Sequence, residues 1–288
     1  MRLWPSRANQ RISPKKIEIT EQSIAGPRAI AVSSGKGGVG KTSISINLAL
    51  CLAKMSYRVA VFDADLGMAN AEVMLGLAPR YSLYDVLFGN KRLDDIIVQG
   101  PGGISIISGG SGFLEMANLN QDRRQKLIGM LNMVNNYYDF VLFDTAAGIN
   151  KNVLGFVAAA GEVIIVATPE PTSLTDAYAL IKVLSCFNVH SEVHVVINRA
   201  ANELEARRTL EKLQFTVGRF LNTRINNLGW IPEDKTVSQA IKKQNPFFLA
   251  EPSSAASRGV AGIAGCLTNT TPLIQDKGFW GKLVSLFG

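Results

Sequence analysis

The chain is poor in the residues that build transition-metal sites and disulfide frameworks. It has two histidines and three cysteines in 288 residues. Cys51, Cys186 and Cys266 are odd in number and far apart, with no Cys-x-x-Cys and no Cys/His cluster. Neither a zinc site nor a disulfide framework is expected, and a reducing cytosol fits best. His190 and His194 flank or occupy a strand and read as structural. Charged residues are sparse as well, at 18% against 47% hydrophobic. That balance excludes global disorder and supplies a sizeable core, and the length suits one α/β domain plus tails. Long apolar runs are also missing. Met1 to Arg28 lacks one of the signal-peptide kind, and no uncharged run is long enough to span a bilayer. The net charge of +7 favours anionic partners, such as nucleotides and acidic phospholipid.

One stretch organises the rest. Gly35-Lys36-Gly37-Gly38-Val39-Gly40-Lys41-Thr42 fits G-x-x-x-x-G-K-[ST], the phosphate-binding P-loop. Arg28 to Ser33 reads as a buried strand leading in, and Thr42 to Ala53 as a helix leading out. The four glycines permit positive φ and close approach, so the backbone can fold around an anion. N–H groups of the loop and of the helix N-terminus then point at the phosphates. Lys41 is expected on the β- and γ-phosphates and the Thr42 hydroxyl on Mg²⁺. Val39 and Ser43 complete the expected cradle. A loop that needs only backbone N–H groups does not need Lys36, so its charge suits a further phosphate contact.

Other strand ends carry polar residues, where an open α/β sheet presents its ligands. Arg58 to Phe62 ends in Asp63-Ala64-Asp65. These two carboxylates point the same way. One suits Mg²⁺ support, the other the orientation of an attacking water. Phe140 to Phe143 ends in Asp144, a Walker B pattern in which the carboxylate holds Mg²⁺ through a water. Thr145-Ala146-Ala147-Gly148 follows as a flexible turn suited to a γ-phosphate. Val193 to Ile197 ends in Asn198, whose amide offers a donor and an acceptor to a base edge, or is a plain turn residue. Strands and helices alternate throughout. The expected class is therefore α/β, a mostly parallel twisted sheet with helices on both faces.

Lys36 to Thr42 resembles the deviant Walker A motif of the MinD/ParA ATPases, and the resemblance runs from about Ala29 to about Ala256. In that family the extra lysine reaches across a nucleotide sandwich dimer, which implies that role for Lys36. The resemblance implies an Mg²⁺-dependent ATPase that binds ATP or ADP and forms a homodimer with ATP. It makes Asp63 to Asn70 switch I, with Asp65 positioning the water, and Thr145 to Gly148 switch II. It assigns Asn198 to adenine recognition and adds Pro232 and Asp234 on the adenine side. Phe62 to Asn70, Asp144 to Ile149 and Glu170 to Lys182 are most similar to one branch, the flagellar number and placement regulators known as FlhG or FleN. That branch implies flagellar partners: a signal-recognition-type GTPase (FlhF), switch-complex proteins and a transcription activator. Some relatives carry an N-terminal Asp-Gln-Ala-x-x-Leu-Arg stretch that stimulates the GTPase, and Glu21-Gln22-Ser23-Ile24-Ala25 departs from it. A division-site MinD and a ParA-type DNA-segregation ATPase share the motifs and stay open as alternatives, the latter with DNA as partner.

The expected organisation has four parts. Residues 1–27 form a basic arm with Arg2, Arg7, Arg11, Lys15 and Lys16; residues 28–267 form the ATPase domain. A polar linker, 268–277, leads to 278–288. As a helix, that last stretch puts Phe279, Trp280, Leu283, Leu286 and Phe287 on one face, similar to an interfacial membrane helix. Docking on the chain's own domain is the alternative for that face. The expected location is cytoplasmic, peripheral on the cytoplasmic face of the inner membrane.

Overall fold

Every residue of the first strand, Arg28–Ser34 (β1), is buried. Successive side chains of a strand point to opposite faces, so a strand buried on both faces serves two cores. Ala29 and Ala31 join one cluster with Phe62, Phe143 and Phe156. Ile30 and Val32 join the other with Ile44, Leu48 and Val61. The computed structural model describes residues 27–65, 70–110, 134 and 137–269.

The other strands are Val59–Ala64 (β2), Ile97–Gln99 (β3), Ser105–Ser108 (β4), Phe140–Ala147 (β5), Glu162–Ala167 (β6), Glu192–Ala200 (β7) and Arg224–Pro232 (β8). They form one sheet in the order β3-β4-β2-β5-β1-β6-β7-β8. Neighbours are parallel except at the β3–β4 edge. Crossovers from β1 run toward β2, and those from β6 run toward β7. The order thus reverses between β1 and β6, which opens a crevice at the strands' C-terminal ends.

Lys41–Lys54 (α1) is followed by three short helices, Asn70–Met74 (α2), Leu83–Leu87 (α3) and Leu93–Ile96 (α4). Later come Lys151–Ala159 (α5), Pro171–Cys186 (α6), Glu203–Phe220 (α7), Lys235–Lys242 (α8), Phe247–Ala250 (α9) and Ala255–Asn269 (α10). Leu48 of α1, Phe248 of α9 and Val260 of α10 cover one face of the sheet. Phe156 of α5, Leu180 of α6 and Leu210 of α7 cover the other. The expected α/β class, with helices on both faces, is what the chain adopts.

At the opposite end of the strands, Arg28 closes the fold. Its guanidinium donates to Glu162 Oε1 at 2.7 Å and Oε2 at 2.6 Å, and to the Leu267 carbonyl at 2.6 Å. His194 Nε2 lies 3.4 Å from Glu162 Oε2. The start of β1 is thereby tied to β6, β7 and the last turns of α10. Three sequence expectations lie wholly or mostly outside the described residues: the arm, the linker from Thr270 on, and the amphipathic segment 278–288.

Candidate nucleotide site

The P-loop joins β1 to α1. Gly40 caps α1 with φ 99°, and no side chain bonds the helix N-terminus or puts an acid in its first turn. An uncapped N-terminus leaves several N–H groups for an outside acceptor. The glycines divide the work. Gly38 and Gly40 have positive φ, whereas Gly35 does not. A Cβ on Gly35 would lie 2.1 Å from the Asp176 carbonyl oxygen of α6. Gly35 is there for close packing, and a Cβ on Gly37 would meet only the Ala147 methyl at 3.9 Å.

Lys41 is buried, and its ammonium donates to Ser34 Oγ at 2.9 Å. Burial lowers its pKa, while the charges of Asp144 and Asp65 oppose the shift. Asp144 pairs in register with Asp63 across β5 and β2, so strand alignment alone brings the two carboxylates together. Asp144 is 1% exposed, and burial pushes its carboxyl up to about 6 against the pull of Thr42, Lys41 and Ser45. Ser45 Oγ donates to Asp144 Oδ1 at 3.0 Å. Oδ2 has no hydrogen-bond partner among the described residues, and neither has the buried Ser43 hydroxyl. A buried carboxylate oxygen without a partner is costly, and a cation beside Thr42 removes the cost. The P-loop, Ser43 and Asp144 thus fit a phosphate chain with a divalent ion.

Switch I differs from the simplest expectation. Asp63 Oδ1 accepts from Asp65 N, and Oδ2 from Ala71 N, both at 3.0 Å. Both oxygens are thus spent on holding the turn into α2. Burial pushes this carboxyl up to about 7. Asp65 Oδ2 accepts from the Asn70 amide at 3.1 Å. Lys36 is also engaged within its own chain. Its ammonium donates to Glu170 Oε2 at 2.6 Å and to Thr172 Oγ1 at 2.9 Å, at the start of α6. The pull of that ammonium holds the Glu170 carboxyl below the usual range.

Beside the P-loop opens a cavity of about 230 Å³ whose wall includes Gly40, Ser43, Asn198, Pro232, Asp234 and Phe247. The Asn198 amide donates to the Val39 carbonyl at 2.7 Å, clamping the loop to the end of β7. Arg199 follows in the left-handed region, with φ 58°. Asp234 lies in the wall but is occupied. It accepts from Thr236 N and Oγ1 at 2.9 and 2.7 Å, and from Ala256 N at 3.2 Å, capping two helix starts. Burial opposes its charged form, yet these bonds outweigh burial and hold its carboxyl below the usual range. The structure therefore brings together the P-loop, Asp63, Asp65, Asp144, Asn198, Pro232 and Asp234 at one sheet edge. Ser34, Ser45, Glu170 and Thr172 were not singled out in the sequence; single hydroxyls and carboxylates carry no local signal.

A family described as an AAA domain matches residues 27–197. The antiactivator FleN of Pseudomonas aeruginosa is 43% identical over 82% of this chain and 85% of its own length. The chain belongs to the MinD/ParA family of P-loop ATPases. The flagellum site-determining protein YlxH of Helicobacter pylori is 34% identical, over 90% of each chain. Among solved structures, the septum site-determining protein MinD of Pyrococcus horikoshii, complexed with Mg-ADP, is 25% identical with a TM-score of 0.66, covering 84% of this chain and 96% of its own. Family membership accounts for the P-loop and the α/β sheet together. No helix of the described residues is long and apolar enough to cross a membrane.

Proposed function

We propose that this protein is an ATP-driven dimerising switch that hydrolyses ATP, moves between cytosol and membrane, and sets the number or placement of flagella. The observation that carries the ATPase reading is Asp144, buried beside Thr42 and Lys41 with one oxygen unpartnered. Thr42 and Asp144 would hold Mg²⁺, which when bound neutralises charge on the β- and γ-phosphates. Asp63 contributes by shaping switch I, because both its oxygens are already bonded to backbone. Lys41 turns from Ser34 to the phosphates. Asp65 leaves Asn70 and orients the attacking water. Lys36 leaves Glu170 for a nucleotide on a second copy of the chain. Asn198, Pro232 and Asp234 line the space for the adenine.

The flagellar part rests on the likeness to FleN and YlxH. Deleting the gene in the source organism and counting flagella tests it. Supernumerary or misplaced flagella are expected, restored by the wild-type chain and not by Asp65→Ala. Minicells with normal flagella would move the protein to division-site selection. Plasmid or chromosome loss with salt-dependent DNA binding would move it to segregation.

A further inference from the structure

A second cavity, of about 300 Å³, opens beside switch I, away from the phosphate loop. Its wall includes Glu72, Leu77, Pro79, Tyr81, Ser82 and Ser108. Glu72 is 2% exposed, and neither carboxylate oxygen has a hydrogen-bond partner among the described residues. A buried carboxylate with both oxygens unmet is among the costliest arrangements a fold can keep, and it is relieved by a cation. The nearby buried Asp63 feels the Glu72 carboxylate, which adds to the burial that pushes the Asp63 carboxyl up. Asp85, also in the wall, is committed: it accepts from Ser82 N at 2.8 Å and Ser82 Oγ at 3.1 Å.

We propose that this cavity receives an arginine side chain of a partner protein, whose guanidinium pairs with Glu72 once the carboxylate, covered in this structure, turns into the cavity. A metal ion fits less well, because no group of three His, Cys, Asp or Glu among the described residues can hold one. The wall suits an arginine, with Val73, Leu77, Ala78 and Pro79 for the aliphatic stem and the hydroxyl-bearing Tyr81, Ser82 and Ser108 for the planar head. The Tyr81 ring already carries one cation, the Lys91 ammonium 3.9 Å from its centroid, which makes no hydrogen bond to Glu72. Arg80 is exposed, so water and salt screen its repulsion.

The cavity is coupled to the hydrolytic segment by covalent structure. Glu72 sits on α2, whose first residue, Asn70, bonds Asp65, and whose second, Ala71, bonds Asp63. An arginine drawn to Glu72 acts on the same short helix that holds Asp65. Regulation of turnover through this helix rests on the proposed role of Asp65; binding in the cavity does not.

The test uses the full chain without nucleotide, with ethylguanidinium as probe and sodium chloride at equal ionic strength as control. Thermal unfolding is followed for the wild type, Glu72→Gln and Ala78→Trp, the last filling the cavity while keeping the carboxylate. A saturable rise in Tm of about 3 °C at ten times Kd is expected for the wild type. Loss of that rise in both variants supports the pocket. No saturable rise in the wild type, a rise unchanged in Ala78→Trp, or an equal rise with Ca²⁺ would overturn it. If Glu72→Gln does not fold, Ala78→Trp alone decides. Turnover with Mg²⁺-ATP is then measured with and without the probe. A change of about threefold or more in the wild type, absent in Ala78→Trp, supports the coupling; unchanged turnover overturns the coupling and leaves the pocket to the unfolding data.

Discussion

Lys41 and Asp65 lie at the same sheet edge but do separable jobs. Lys41 touches phosphate in the proposed site, and a charge-assisted contact of about 1.5–3 kcal/mol corresponds to roughly ten- to hundredfold in affinity. Lys41→Ala is therefore expected to weaken ATP binding by that factor in an equilibrium titration. Asp65 acts on water, so Asp65→Ala should leave ATP affinity within about threefold and cut turnover by about 10²–10⁴. Turnover at the wild-type rate would remove Asp65 from its assigned role. Gly35→Ala is expected to be severe for a different reason, because its methyl meets the Asp176 carbonyl, a backbone atom that cannot step aside. Loss of ATP binding together with a lower Tm checks this; a neutral result contradicts the packing argument. At this scale the positions of the P-loop, Asp63, Asp65 and Asp144 at one sheet edge were legible from motif spacing and strand ends, but the backbone bonds that occupy both oxygens of Asp63, expected to support Mg²⁺, were not. The partners of Lys36 were not. Glu170 is 134 positions away, and only the β1–β6 adjacency brings it near.

The elements hold the site from below. Glu162 in β6 joins Arg28 of β1 and, through it, the last turns of α10. Burial alone would raise the Glu162 carboxyl, but bonds from His194 and Arg28 outweigh it and keep it below the ordinary 4.5. The sign follows: a depressed carboxyl stabilises the fold above its unfolded pKa, and that stability is lost as pH falls through the folded value. Glu162→Gln is expected to cost about 3–5 kcal/mol at neutral pH, since it leaves a buried guanidinium without its counter-charge. It should also flatten the loss of stability below about pH 4.5. Urea unfolding from pH 3 to 7 measures both, and a parallel acid profile in the variant would show that the pair contributes nothing. The strands were legible because apolar runs end in polar residues. α7 was not read, although Ala206, Leu210, Leu213 and Val217 repeat at helical spacing in its buried stripe. Its polar surface masks that stripe from a composition-based reading. The β3 edge strand is three residues long, too short for a period to show.

At the scale of the molecule, the mostly parallel sheet with helices on both faces was readable from the alternation of strands and helices, whereas the strand order and its reversal beside β1 were not. Position relative to a second copy was not, since one chain carries no record of its partner. Segment 278–288 is proposed to anchor the ATP dimer reversibly on anionic membrane. One short helix binds weakly, and two on a dimer gain avidity of roughly 10²–10⁴. Liposome sedimentation should show ATP-dependent pelleting that is lost in a chain ending at Lys277 and in Trp280→Glu. Pelleting by the truncated chain would assign the apolar face elsewhere. Everything in this cycle depends on ATP making the dimer, and on Lys36 exchanging Glu170 for a partner's nucleotide. The direct test is mass in solution by light scattering with saturating Mg²⁺-ATP. Asp65→Ala is expected to run at twice the mass of one chain, returning to one chain with ADP, while Lys36→Ala/Asp65→Ala binds ATP yet stays a single chain. A single-chain mass for Asp65→Ala with ATP bound, or a dimer that persists without Lys36, would contradict the switch.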